Sequence, residues 1–407
     1  MSGRSVADVR ADLERDDLWL LRYLNTSVDP ASRTVEVSAL RLLSRLATFR
    51  DGLGCALALD GLVPPAPTGA SRPSRGLSSL LPAAGPVPDG LSAAVGRAFA
   101  EPDPQRPRRT QAIVVVHRGR IVAERYADGL TADTPLAGWS MTKSVTGALS
   151  GILVGEGRLA LDVRLPMPEW QSMGDPRAAI TLDHLLRMSS GLRFDEGMAS
   201  PRSDIMQMLF ATGDASGFAV RQPLAGAPGS TWQYSSGTTN VIARIIRHAL
   251  QDDDAYWRFP REALFDRIGM TSATMETDAT GTFVGSSFMY ATARDWARFG
   301  LLYLTDGVVG DERVLPDGWV KYTTTPAPSD PAGRYGAHVW LDVPDEYAGS
   351  GCRLPAGTFH AAGHEAQFVT IVPSQDVVIV RLGRTRWPDV WDQCAFVHEV
   401  LASLATH

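Results

Sequence analysis

The chain is predicted to fold in the α/β (α+β) class, as one antiparallel sheet flanked by terminal helices with a large, mostly helical region inserted. Three observations carry this. Strand patterns stand near both ends of the 407 residues. About 160 residues of helical pattern lie between them, and an apolar helical stretch closes the chain. Composition agrees: 44% apolar, 21% charged and a net charge of -6 describe a globular protein with a sizeable core.

In chain order, residues 1–60 read as an N-terminal arm. It has a charged helical stretch, Val6 to Leu24, and a strand-like run, Thr34 to Ser38. Neither can bury much alone, so the arm is expected to pack on the main body. Residues 61–90, rich in Pro, Gly and Ser, read as a linker or extended wrap. The main domain is expected over 91–407, with a helix after Asp89 that presents Leu91, Ala94, Val95, Ala98 and Phe99 on one face. Strands Ala112–Val116 and Ile121–Tyr126 are spaced as a hairpin turning at Gly119. The helical insertion spans about 160–325, with helices expected at Thr181–Met188, Asn240–Leu250 and Thr292–Leu304. Strands follow at Tyr335–Leu341, Phe359–Ala362, Gln367–Val372 and Asp376–Leu382, then a helix from Pro388 to about Ala405.

The chemistry centres on Gly138-Trp-Ser140-Met-Thr-Lys143, a loop feeding a helix whose apolar positions Val145, Ala148, Leu149, Ile152 and Leu153 recur at helical spacing. Ser140 and Lys143 stand one turn apart on the same side. A hydroxyl beside an amine makes a nucleophile with its base, provided the amine can lose a proton. Of 39 basic residues only two, Lys143 and Lys321, are lysines. Arginine cannot serve as such a base, whereas a lysine shifted down from ~10.4 can. A solvated surface lysine is the plain alternative, and the scarcity of lysine makes the two readings about equal.

Two further segments decide. Trp232-Gln-Tyr234-Ser-Ser236-Gly237 precedes an apolar helix, and a tyrosine there could relay a proton. Ala362-Gly363-His364-Glu365-Ala366-Gln367 opens a strand, where small residues allow close approach and a strand amide can hold a developing oxyanion. No G-x-S-x-G, H-E-x-x-H, Walker A or dinucleotide fingerprint is present.

These pieces, in this order, resemble the serine β-lactamase and penicillin-binding protein superfamily, most nearly its class C-related esterases and aminohexanoate-dimer hydrolases. The resemblance covers roughly 110–383. Ser140-Met-Thr-Lys143 is similar to the S-x-x-K motif and Tyr234-Ser-Ser236 to Y-x-N, with His364-Glu-Ala366 in the place of K-T-G. Segments Ile180–Leu192 and Ser286–Gly300 also look like family segments.

The resemblance implies a β-lactamase-like fold and an acyl-enzyme mechanism with Ser140, Lys143 and Tyr234 catalytic. It implies an oxyanion hole from the backbone of Ser140 and Gln367, and substrate contacts from Ser236, His364, Glu365 and Tyr290. It implies no cofactor and no metal. Ser236 and His364 depart from the residues that hold a β-lactam. An esterase or amidase acting on a small ester, amide or peptide is therefore expected ahead of a β-lactamase or D-alanyl-D-alanine carboxypeptidase. A non-catalytic scaffold or receptor is the alternative from another class.

No basic field suits nucleic acid, and no run approaches the ~20 apolar residues of a membrane span. The first ten residues lack a signal peptide's apolar core, a cytoplasmic reading. The arm (Ser2-Gly-Arg and Phe49 to Cys55) resembles that of bacterial relatives that carry a membrane anchor ahead of this point, which implies an exported or periplasmic protein if such an anchor is missing here. Cys55, Cys352 and Cys394 lack zinc spacing; one pair could form a disulfide, or all could be buried thiols. Oligomeric state is not legible.

Overall fold

A computed structural model describes residues 23–39, 43–65, 81–82, 85–165 and 167–405, together with Ala7. Its centre is a five-stranded antiparallel sheet in the order Phe359–Gly363, Gln367–Val372, Val377–Gly383, Thr110–His117, Arg120–Tyr126. The unbroken apolar run Ala112 to Val116 follows from this position, because both faces of the strand are covered. Val114 and Val116 face the helical region, whereas Ile113 and Val115 face the terminal helices. Those helices are Asp89–Ala98, burying Leu91, Ala94, Val95 and Ala98, and Gln393–Leu404, burying Phe396, Val397, Val400 and Leu401.

The helix Met141–Gly155 is buried on every side from Met141 to Leu153, so it runs through the core rather than lying on it with one face. It packs against helix Ser236–Leu250, which the side chain of Ser235 caps. Helices Leu182–Leu186 and Ala293–Leu304 form where the Thr181 and Thr292 caps mark them. Fold class, terminal helices and helical insertion are as the pattern predicted.

Three expectations change. Tyr335–Leu341 is a tight loop, not a strand, carrying only isolated bridges from Trp340 to Tyr335 and to His360. Its alternating apolar residues are buried without a ladder, and His338 turns the backbone at φ 59°. The closing helix begins at Gln393, where Asp392 accepts a bond from the Ala395 N–H; Pro388–Val390 is a separate 3₁₀ turn.

The arm, thirdly, holds a four-stranded meander: Leu24–Asp29, Thr34–Ala39, Leu43–Arg50 and Gly54–Ala58. Most of the helical stretch expected over Val6–Leu24 lies outside the described residues, as do 66–80 of the expected linker. The meander contacts the main body. Cys55 N donates to Glu276 Oε1 at 2.7 Å, Arg50 Nη1 to Thr277 Oγ1 at 2.8 Å, and Leu53 enters the main core.

Cys352 and Cys394 form a disulfide that ties the segment before the edge strand to the closing helix; Cys55 is free. Among the described residues no helix is long and apolar enough to cross a membrane.

Candidate active site

Ser140 stands at the N-terminus of the buried helix, after Trp139, whose backbone is left-handed at φ 48°. Non-glycine residues in that region are strained and need surrounding structure to hold them. Here Thr142 Oγ1 donates to Trp139 O at 2.7 Å, and Gly138 N to Met289 O at 2.9 Å.

One turn on, Lys143 is 1% exposed. Its Nζ lies 2.9 Å from Ser140 Oγ, 2.9 Å from Ser236 Oγ and 3.1 Å from the Ser286 carbonyl oxygen. Burial lowers its pKa to about 8, against an upward pull from Glu196. The Tyr234 ring faces the same amine, its centroid 4.8 Å from Nζ. Burial holds the Tyr234 phenol well above its ordinary range, opposed by a hydrogen bond with Ser140. The phenol therefore stays protonated at neutral pH. Trp340, with ring centroids 5.3 Å apart, and Tyr335 at 5.9 Å pack it from behind.

The third wall is the end of the edge strand. At Gly363 a Cβ would clash with the Gly138 carbonyl oxygen and come within 3.2 Å of Ser140 N, so only glycine permits this approach. The Ser140 and His364 backbone N–H groups donate no hydrogen bond among the described residues. Beyond His364 the chain turns through Glu365 and Ala366, both at φ 61°. Arg381, fully buried, clamps that turn by donating from Nη1 to Glu365 O (3.0 Å) and Ala366 O (2.9 Å). Burial brings its pKa down to about 9.

A cleft of about 470 Å³ opens between these walls, lined by Ser140, Tyr234 and His364 with Trp139, Trp232, Trp340 and Tyr347. Ser140, Lys143 and Tyr234 thus come together. His364 lines the cleft, its ring 5.7 Å from that of Trp139.

The other expected residues are placed differently. Gln367 lies on the second strand, 1% exposed and not in the cleft lining. Its amide side chain bonds Gly383, through Nε2 to O at 2.6 Å and Oε1 from N at 2.9 Å. A K-T-G place beginning at His364 points to Gln367, whereas the strand ends at Gly363 and the residues beyond it form the turn. Ser236 is buried beneath the cleft as a partner of Lys143. Glu365 and Tyr290 are absent from the lining; Tyr290 faces Glu276 and Cys55 instead.

Sequence reasoning missed Glu196. Its carboxylate accepts from Ser236 N and, at 3.2 Å, from Ser236 Oγ. Nothing within 193–203 marks it. The signal was indirect: Gly237, where a Cβ would sit 2.6 Å from the Phe194 ring, and Gln233, whose Nε2 donates to Phe194 O at 2.8 Å, pin this loop to the Tyr234 segment.

The Beta-lactamase family model matches residues 95–389. The chain belongs to that family. Membership makes it a serine hydrolase of the β-lactamase type. It is 27% identical over 305 residues to the 6-aminohexanoate-dimer hydrolase of Paenarthrobacter ureafaciens, covering 69% of this chain and 73% of that one. Among solved structures it resembles the class C beta lactamase from Rhodobacter sphaeroides (TM-score 0.55, 16% identity, 78% and 99% of the two chains covered). It also resembles EstCE1, a hydrolase with promiscuous acyltransferase activity (TM-score 0.60, 13% identity, 77% and 97% covered). At these identities the two structures speak for the fold.

Proposed function

We propose that the protein hydrolyses small esters or amides through an acyl-enzyme on Ser140. The observation that carries this is the buried Lys143 amine, 2.9 Å from Ser140 Oγ with a pKa lowered to about 8. As Ser140 Oγ bonds to the substrate carbonyl carbon, its proton passes to Lys143 and the carbonyl π electrons move to oxygen. The N–H groups of Ser140 and His364 receive that oxyanion, taking the place assigned to Ser140 and Gln367. Collapse breaks the bond to the leaving group, which takes a proton relayed from Lys143 by the Tyr234 phenol. Water then gives a proton to Lys143 as its oxygen bonds to the acyl carbon; the bond to Ser140 Oγ breaks, Oγ takes that proton back, and the carboxylic acid leaves.

The cleft argues against β-lactams, which carry a carboxylate. Its guanidinium, Arg334, is already paired with Asp345, and Glu196, Asp345 and Glu346 line the same space. The likeness to a 6-aminohexanoate-dimer hydrolase supports an amide among the substrates.

The test is turnover of short-chain p-nitrophenyl esters and amides against nitrocefin, with wild type and Ser140→Ala. Ester or amide turnover that disappears in the variant is expected. Equal turnover by both proteins would overturn the assignment.

A further inference from the structure

The mechanism above leaves Glu196 without a role, although its carboxylate bonds Ser236, a partner of Lys143. We propose that Glu196 is a positioning residue: by holding the Ser236 hydroxyl proton, it forces the neutral Lys143 amine to aim its lone pair at Ser140. The inference rests on the reading of Ser140 as nucleophile and Lys143 as base.

The argument is a count of donors and acceptors. An ammonium at Lys143 has three N–H bonds and three neighbours: Ser140 Oγ, Ser236 Oγ and Ser286 O. When one proton leaves, two N–H bonds and one lone pair remain. The Ser286 carbonyl can only accept, and it is held in place because Asn240 Oδ1 accepts from Ser286 N at 3.2 Å. Ser236 could accept or donate, and with a free hydroxyl it would compete with Ser140 to donate to the amine. The Glu196 carboxylate removes that choice by taking the Ser236 O–H at 3.2 Å and the Ser236 N–H beside it. Ser236 Oγ then accepts from Lys143, and Ser140 is the neighbour left to donate.

Glu196 also acts on the charge of the amine. Lys143, Tyr234 and Tyr335 face it from other elements, and Asp195 adjoins it on its own loop. Near Lys143 the further titratable group is His338, which burial keeps neutral with a pKa of about 3. Glu196 is thus a group that stabilises the ammonium, so it orients the base while leaving less of it neutral near pH 7.

The test is a cycle of Glu196→Gln, Ser236→Ala and the double variant in the full chain. It is read as kcat/KM for p-nitrophenyl acetate from pH 5 to 10, with Ser140→Ala beside it. Each single change is expected to lower kcat by roughly 10- to 100-fold with little change in KM, a part of the ~10²–10⁴ that a positioned base contributes. The double variant should be no worse than Ser236→Ala within about twofold, because Glu196 acts through that hydroxyl. The acid limb of Glu196→Gln should move to lower pH. Additive losses, or an unmoved limb, would overturn the proposal and leave Glu196 as an anchor for the helix N-terminus. Should Glu196→Gln fail to fold, Glu196→Asp replaces it: the shorter carboxylate should lose the Ser236 Oγ bond, so kcat should fall and Ser236→Ala in that background should add nothing, whereas full kcat or an additive loss would overturn the proposal. Turnover retained by Ser140→Ala would instead sink the serine reading itself.

Discussion

The helix that carries Ser140 and Lys143 and the edge strand that ends at Gly363 face each other across one cleft, but they offer chemistry of different kinds. The helix offers side chains: a hydroxyl and an amine whose identities decide what they can do. The strand end offers a backbone N–H, which every residue except proline possesses. Replacing a side chain on the first wall changes the chemistry. At the strand end only changes that remove the N–H or move the backbone should matter.

The largest expected effects lie on the helix. Ser140→Ala should lower kcat/KM by roughly 10³-fold or more, since no acyl-enzyme can form. Lys143→Arg, which keeps the positive charge, should lose about 10²–10⁴-fold because arginine cannot accept the proton. Steady-state ester hydrolysis checks both. Wild-type turnover in Lys143→Arg would transfer the base role elsewhere.

The strand end sharpens the contrast. His364→Ala keeps the N–H and should stay within a few fold of wild type. His364→Pro removes that N–H and should cost about 10²–10³ in kcat. Equal loss in both would mean that the imidazole, not the backbone, does the work. Gln367→Ala should act chiefly on stability, by about 1–3 kcal/mol in a denaturant melt, because Gly383 N and O lose their buried partners.

The smallest effect on turnover reaches the strand end indirectly. Ala366 N donates to Tyr347 Oη at 3.1 Å, and Tyr347 lies in the segment tied down at Cys352. Cys352→Ser with Cys394→Ser should lower stability by about 2–4 kcal/mol. Because Tyr347 lines the cleft, KM should rise more than kcat falls. An unchanged melting curve would break this link.

The same contrast explains what the sequence disclosed. Lys143 could be singled out because its residue type is rare in this chain and its spacing from Ser140 is fixed by a helix. The unbroken apolar run Ala112 to Val116 and the helix starts at Thr181 and Thr292 likewise report local physics. The proposed oxyanion donor could not be read in this way. His364 and Gln367 differ by three positions along one hairpin, and only the tertiary approach of Gly363 to Ser140 tells them apart. Glu196 was hidden for a related reason, since it reaches Ser236 from a loop 40 residues away in sequence. Tyr335–Leu341 misled because burial alone can imitate a strand's alternation.

The central claim is that the amine of Lys143 is neutral often enough near neutral pH to deprotonate Ser140. The most direct measurement is the rate of fluorophosphonate labelling against pH, with the labelled residue located by mass spectrometry. Only the neutral amine is a base, so the rate should climb as pH rises through an apparent pKa near 8. The label should sit on Ser140, and Lys143→Arg should abolish the climb. A rate flat from pH 6 to 10, or a label on another residue, would contradict the account.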